Sequence, residues 1–332
     1  MGLQARVERV ASSRVPVVAW VLIVVVGLAG LAACVGDLGR GYLGGAGSVA
    51  IVTAYSWALA ARTGGRPVVV GLVALALGVV VVVSDDDSLR TGAAVLTCVV
   101  SAVLAVMATV PAVRFVHAVR EVLIAVLIAA VGAFATVGFE PVVTVARFEY
   151  VTLGLSLLGA LGVVYRLGAG LHGLGRRGAV TVLIGGAVLA LTLVYAEILR
   201  RYGTPALVGT LLDAVAWSRG NLGAFPRPIE TVLGIPALAW GTHMRARRRQ
   251  GWWVCAFGVA ATSPVANALV NPSITLVESA LSVLYGVVVG LLIGFVVIRL
   301  DLAFTGPRGR RGRRAEEAGA LRPEPARTRP LL

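Results

Sequence analysis

The sequence predicts an all-α integral membrane protein, a polytopic transmembrane helical bundle of about ten spans. The chain of 332 residues is 58% hydrophobic and only 14% charged, with a mean hydropathy of +0.89. Soluble chains carry about a quarter charged residues, so this composition leaves too few charges for a water-facing surface. The charged residues also lie mostly in short segments between long apolar runs. Composition and spacing therefore agree on a membrane bundle.

Ten apolar runs are long enough to cross a bilayer, since a helical span needs about 20 such residues. They lie near 15–36, 43–61, 67–83, 91–112, 122–139, 150–165, 179–198, 229–244, 252–270 and 276–298. Strict alternation of apolar and polar residues is absent from the sequence, so the runs are predicted to be helices. The count allows two five-helix halves, 15–145 and 146–300, the second inverted as in inverted-repeat transporters. No internal sequence repeat supports that division.

The distribution of arginine predicts the orientation. The side that holds both termini has 23 of the 30 arginines and 6 of the 16 acids. The opposite side has 7 arginines and 10 acids, among them Asp85, Asp86 and Asp87. Cytoplasmic loops retain excess arginine, so both termini, including residues 1–14, are predicted to be cytoplasmic, with the chain in the cytoplasmic membrane. Topology explains the net charge of +14, and no nucleic-acid partner is expected.

Both ends of the chain carry further signals. The first span ends in Leu31-Ala32-Ala33-Cys34, which fits a bacterial lipoprotein cleavage box. Because the apolar run is long enough to span uncleaved, we expect no cleavage before Cys34 and no acylation of it. Residues 301–332 combine Pro, Gly, Arg and Glu, which predicts a disordered basic cytoplasmic tail. Its arginines would contact anionic lipid, or serve only as a stop-transfer anchor.

Polar residues within spans are concentrated in the second half. Ser263, Asn267 and Asn271 are four residues apart in span nine, so they share one helix face. Pro264 lies between them and frees a backbone carbonyl one turn earlier. Glu278 begins span ten directly after a short turn. Hydrogen bonds between helices explain this stripe about as well as a substrate path does.

The inner half of span ten carries a stripe of small residues, Gly286, Gly290 and Gly294. Small residues let two helices approach closely. The stripe is therefore predicted to pack against another helix, within the monomer or across a homo-oligomer formed through span ten.

The longest loop, 199–228, lies on the outer side. Its apolar residues recur at helical spacing from 206 to 217, which predicts an amphipathic segment at the outer interface. Its four arginines oppose the topology trend and require local acids, phosphates or a bound anion as partners. Prolines at 226, 228 and 236 interrupt the start of span eight, a weak pointer to a transport site. The candidate substrate-binding residues are Asn267, Asn271, Glu278, Arg219, Arg227, Asp213 and Glu230.

The sequence leaves the activity open. No HExxH, Walker, GxSxG or CxxC motif occurs, so neither a metal nor a cofactor is expected. The leading hypothesis is a permease or translocator of a small polar, anionic or lipid-linked substrate. A second is a membrane transferase on a lipid-linked donor at the outer face, with Asp213 or Glu230 as base and arginines holding phosphate. A third is a non-catalytic assembly subunit that binds through the glycine stripe.

Overall fold

The computed structural model describes residues 15–35, 42–84, 86–169, 171–247, 251–305 and 324–331. Within these ranges 84% of the residues are helical and none forms a strand, which confirms the all-α prediction. The α-helices are α1 (Val15–Val35), α2 (Tyr42–Arg62), α3 (Pro67–Ser84), α4 (Asp87–Met107), α5 (Phe115–Val137), α6 (Val145–Val164), α7 (Leu171–Tyr202), α8 (Pro205–Leu222), α9 (Ile235–Arg245), α10 (Gly251–Ala256), α11 (Val259–Val270) and α12 (Leu276–Thr305). Two π-helical segments are Tyr165–Ala169, after α6, and Ile229–Gly234, before α9.

Nine helical segments of the described chain are long and apolar enough to cross a membrane, as expected of a multi-pass membrane protein. Each coincides with one of the ten predicted runs. The remaining run, 229–244, folds as the six-residue π-segment Ile229–Gly234 followed by the eleven-residue α9. Pro236 at the start of α9 has no backbone N–H, which helps to explain why the α-helix begins only there.

The span from 251 to 270 lies at the centre of the bundle. In this span 89% of the residues are buried, against 17% in α1 and in α3. Its second helix, α11, packs against α4, α5, α6 and the second π-segment. Alanines make this close packing possible, because Ala260, Ala261 and Ala268 place small side chains at buried positions. The central contacts of α11 therefore cross the predicted boundary at residue 145, and the two proposed halves share one core.

Hydrogen bonds between helices show which helix ends meet at each end of the bundle. At the first, which we call the arginine-rich end, the C-terminal ends of α2, α4 and α9 meet the N-terminal part of α5. At the opposite end, the N-terminus of α12 lies beside the C-terminus of α8, where Tyr285 donates a hydrogen bond to the carbonyl of Leu222. Assignment of the arginine-rich end to the cytoplasm stays a prediction.

The glycine stripe packs within this chain. A Cβ at Gly290 would lie 2.6 Å from the Cβ of Ile235, and one at Gly294 would lie 3.1 Å from the Cβ of Ala239. A Cβ at Gly286 would lie 3.0 Å from the carboxyl carbon of Glu230. The stripe is thus covered by the second π-segment and α9, and a second copy of the chain would have to bind another face of α12.

Two regions are more helical than the sequence predicts: the predicted helical segment 206–217 is part of a longer helix, and the predicted disordered tail begins within α12. The predicted outer segment 199–228 contains the end of α7 and the whole of α8, which begins at Pro205. Gly223 then adopts a φ of +79°, a conformation that suits glycine just past a helix end. At the C-terminus, residues 301–305 continue α12, and residues 324–331 pack against the arginine-rich end. The rest of the predicted tail lies outside the described residues.

Candidate functional site

The structure separates the predicted site residues into two groups. At the opposite end of the bundle, Arg219 of α8 and Glu278 of α12 form an ion pair with N···O of 3.4 Å. Their side chains are 59% and 24% exposed, so this pair is largely hydrated. Hydrated ion pairs contribute little to stability, about 0.2–1 kcal/mol. Arg219 thus has a local acid as its partner. This is one of the three kinds of partner, with phosphates and a bound anion, that the sequence left open for the arginines of segment 199–228.

Asn271 and Asp213 lie outside any enclosed site. The side-chain oxygen of Asn271 accepts hydrogen bonds from the backbone N–H and the hydroxyl of Ser273, at 3.0 and 2.7 Å. Asn271 therefore stabilises the turn between α11 and α12, as an asparagine commonly does at such a turn. Asp213 is exposed on α8.

The second group is enclosed in the bundle, around α11. Arg227 directs one guanidinium nitrogen at the backbone carbonyl of Pro264, 3.4 Å away. Glu230 has no exposed surface, and neither of its carboxylate oxygens has a hydrogen-bond partner among the described residues. Arg227 lies within electrostatic range of two acids, Glu149 and Glu230. Glu230 is balanced by a nearby positive charge but not by a hydrogen bond.

Polar groups of α6 and α11 extend this group. Asn267 is 1% exposed, and its side-chain oxygen lies 3.3 Å from the hydroxyl of Thr152. That hydroxyl has a closer acceptor, the carbonyl of Phe148 at 2.7 Å. The amide nitrogen of Asn267 and the hydroxyls of Ser263 and Ser156 are buried without an acceptor or donor in the described part of the chain. We call the residues Thr152, Ser156, Arg227, Glu230, Ser263 and Asn267 the interior polar cluster.

Irregular helices hold the interior polar cluster in place. Glu230 lies in the second π-segment, and π-helical turns are frequent at functional sites. A Cβ at Gly234, at the end of this segment, would collide with the backbone of α11 at Ala260 and Ala261. The span that contains α11 is itself interrupted, because α10 ends at Ala256 and α11 begins at Val259. The cluster thus lies between a helix that begins in π geometry and an interrupted helix, and the two approach closely at Gly234.

Chemically, the interior polar cluster offers a cation, an anion and several uncharged hydrogen-bonding groups. It has the donors that would bind an oxyanion and the carboxylate that would bind a cation or a proton. The described residues include no group of three histidines, cysteines or acids that could hold a metal ion.

A separate cavity of about 360 Å³ lies among α1, α2 and α3. Its walls are mainly apolar and include Trp20, Ile23, Trp57 and Leu72. Two of the helices that form it, α1 and α3, are otherwise exposed along most of their length. The cavity suits a hydrocarbon chain better than a polar ligand, and it is not part of the interior polar cluster.

The sequence did not predict a second polar region, at the arginine-rich end. Arg245 is fully buried and donates to the hydroxyl of Thr109 at 2.7 Å and to its carbonyl at 3.1 Å. Its guanidinium carbon lies 3.4 Å from the centre of the Trp252 ring. Arg62, 4% exposed, donates from Nε to the carbonyl of Met107 at 3.0 Å. We call Arg62, Thr109, Arg245 and Trp252 the terminal socket.

The C-terminal segment 324–331 occupies the terminal socket. Glu324 accepts a hydrogen bond of 2.5 Å from Arg245, and the carbonyls of Ala326 and Arg329 accept from Arg62 at 2.8 and 2.6 Å. Arg327 binds both carboxylate oxygens of the fully buried Glu121, at 2.8 and 3.1 Å. From the sequence alone, Arg62, Arg245 and Arg327 are interpreted only as a topology signal. No local sequence pattern links residue 324 to residue 245.

Comparison with known proteins adds no relative: no protein-family model, curated protein or solved structure matches this chain.

Proposed function

We propose that this chain is a permease or translocator of the cytoplasmic membrane, and that its small polar, anionic or lipid-linked substrate passes through the interior polar cluster. One observation carries the proposal. The carboxylate of Glu230 is fully buried beside Arg227, and no hydrogen bond from the described residues reaches it.

The energetics of the interior polar cluster favour a role in binding over a role in stability. A buried polar group without a partner destabilises a fold by about 1–3 kcal/mol, and a charge costs more. Glu230, Ser263 and Asn267 all retain groups without partners among the described residues. A ligand or a proton that satisfies these groups would offset the cost during transport, whereas a purely structural cluster would be stabilised by having its hydrogen bonds already formed.

The helices around the interior polar cluster suit a conformational cycle. Transporters commonly bind substrate near the membrane midplane, between interrupted helices. Here the second π-segment and the break between α10 and α11 flank the cluster. Glu230 and Ser263 are inaccessible in this conformation, so it corresponds to an occluded state of the proposed cycle. Opening would need only a shift of the helix that contains Glu230 relative to α11.

The other two hypotheses find less support in the geometry. A transferase acting at the outer face needs a carboxylate base that can reach its substrate. Of the two proposed bases, Glu230 is fully enclosed and Asp213 is exposed on α8, apart from the interior polar cluster. An assembly subunit that binds through the glycine stripe needs that stripe to be free, and α9 already covers it.

The proposed orientation follows from the arginine distribution. With the arginine-rich end in the cytoplasm, both termini are cytoplasmic and the Arg219–Glu278 pair faces the outside. The abundance of arginine without lysine, together with alanine, valine and glycine, fits a bacterial protein from a GC-rich genome.

Transport by the purified protein tests the proposal. We would reconstitute the chain in liposomes and measure uptake of a panel of small anions and polar solutes, with movement of fluorescent lipid-linked reporters between leaflets. For any compound transported, Glu230→Gln should reduce the rate at least about tenfold, because it removes the acidic group of the cluster. Asp87→Asn, the same change of acid to amide at an exposed position outside both polar sites, is the matched control. A wild-type protein that moves none of the panel faster than empty liposomes would contradict the proposal.

A further inference from the structure

The terminal socket has the chemistry of an anion-binding site. The guanidinium of Arg245 is fixed on three sides, by the hydroxyl and carbonyl of Thr109 and by the face of Trp252. Its remaining side is directed at the carboxylate of Glu324, which accepts from Nη2 at 2.5 Å and from Nε at 3.5 Å. A guanidinium held in one orientation presents two parallel donors, which match a carboxylate or a phosphate equally well.

A second guanidinium lies beside the first. Arg62 binds the carbonyl of Met107, two residues before Thr109, and its positive charge acts on that of Arg245. Its Nη2 atom is buried and has no acceptor within the described ranges. Two neighbouring buried cations repel each other, so they require a counter-ion between or beside them.

The counter-ion available in the structure comes from the C-terminal segment. Glu121 is the other buried acid nearby, and its carboxylate is already engaged by Arg120, Arg327 and the backbone N–H of Val110. Glu324 is thus the acid that bonds to Arg245 and whose charge acts on Arg62. Without Glu324, the two guanidiniums would share a buried site that lacks an anion from the described part of the chain.

We propose that the terminal socket is a binding site for a phosphate-type oxyanion, either free phosphate or the phosphate of a lipid headgroup, and that Glu324 occupies it as an intramolecular competitor. The arginines at 308–314, which follow α12 in the sequence, would attract anionic lipid. The site is distinct from the interior polar cluster, and the proposal does not depend on transport.

Substitutions in the C-terminal segment test this proposal without altering the socket. Glu324→Gln removes the competing charge, and Glu324→Arg drives the segment away by repulsion. Glu317→Gln makes the same charge change outside the described residues and is the matched control. Inorganic phosphate would be titrated by calorimetry against each full-length protein in an uncharged detergent. Both Glu324 variants should bind phosphate about tenfold more tightly than the wild type and the control.

A third variant confirms which residues bind the phosphate. Adding Arg245→Lys to Glu324→Gln keeps the positive charge but removes the two parallel donors, so the tenfold gain should disappear. If the double variant retains the gain, or if both Glu324 variants bind phosphate no better than the wild type, phosphate does not enter the socket from solution.

Lipid is distinguished from free phosphate in nanodiscs. The thermal unfolding temperature of Glu324→Gln would be compared in phosphatidylcholine alone and in an equal mixture with phosphatidylglycerol. A rise in the mixture that exceeds the rise for Glu317→Gln would indicate a headgroup ligand, and phosphate binding without such a rise would indicate a soluble anion. The absence of both effects would overturn the proposal.

Discussion

The interior polar cluster and the terminal socket are both buried polar regions, but they differ in how fully their groups are bonded. In the terminal socket, Arg245 has partners on every side: Thr109, Trp252 and Glu324. In the interior polar cluster, Glu230 and Ser263 retain groups without partners among the described residues. Burial alone therefore does not reveal the role of a polar residue in this bundle. The groups already bonded stabilise the fold, whereas the open groups of these two regions, most of them in the interior polar cluster and one at Nη2 of Arg62 in the socket, are available to a ligand.

The largest effect is expected at the terminal socket. Arg245→Ala removes a buried cation and leaves Glu324 and the carbonyl of Thr109 without their donor. Breaking a buried ion pair in this way destabilises a protein by about 3–5 kcal/mol. Thermal unfolding in detergent should show a large loss of stability, whereas Arg66→Ala, at an exposed position of the same end, should show almost none. Equal stability of the two variants would remove the distinction between the two regions.

A smaller loss is expected where α12 meets α9. Gly290→Ala places a Cβ 2.6 Å from the Cβ of Ile235, an atom fixed to the helix backbone. The helices would have to separate, and overpacking of this kind costs about 1–3 kcal/mol. Gly154→Ala is the matched control, because a Cβ there meets nothing within 4 Å. The control should be as stable as the wild type, and unfolding curves that coincide for both variants would refute close packing at Gly290.

The hydrated pair should matter still less. Arg219→Ala breaks the ion pair with Glu278, whose members are both partly exposed. We expect a change in the free energy of unfolding of about 0.2–1 kcal/mol. The sequence placed Arg219 in the substrate site, and a loss of transport at unchanged stability would support that placement. Unchanged transport would restrict the site to the interior polar cluster.

The interior polar cluster should tolerate substitution best of all in terms of stability. Asn267→Leu and Ser263→Ala remove buried groups whose hydrogen bonds are incomplete. Replacing such groups by apolar ones of similar shape is close to neutral or stabilising. Thermal unfolding should therefore be unchanged or shifted upward, while transport is lost. A marked loss of stability in both variants would show that the cluster joins helices and does not serve a substrate.

Much of the fold was predictable because it follows from the length and spacing of apolar runs. The nine observed span-forming segments match predicted runs, and the placement of Arg62 and Arg245 at the same end agrees with the arginine pattern. The run 229–244 also looked like an ordinary span, because composition does not distinguish an α-helix from a π-helical segment followed by a short α-helix.

The sites were less predictable, because they depend on which helices meet. The stripe on α11 indicated Asn267 and Ser263, but nothing in the sequence paired Asn267 with Thr152 of α6. The contact between Glu324 and Arg245 joins residues 79 positions apart, across the last two spans. Composition predicted disorder for the C-terminal segment, since its few apolar residues cannot form a core of their own. The helices that form the terminal socket supply the contacts that order this segment.

Water access to Ser263 tests the proposed translocation path most directly, because it requires no knowledge of the substrate. Ser263→Cys would be made in a chain whose three native cysteines are replaced by alanine, with Val265→Cys, a buried apolar position of the same helix, as control. In liposomes, a membrane-impermeant thiol reagent should label Ser263→Cys much faster than the control, because the occluded cluster opens to water during the cycle. Labelling of both positions at the same slow rate would contradict a transport path through the interior polar cluster.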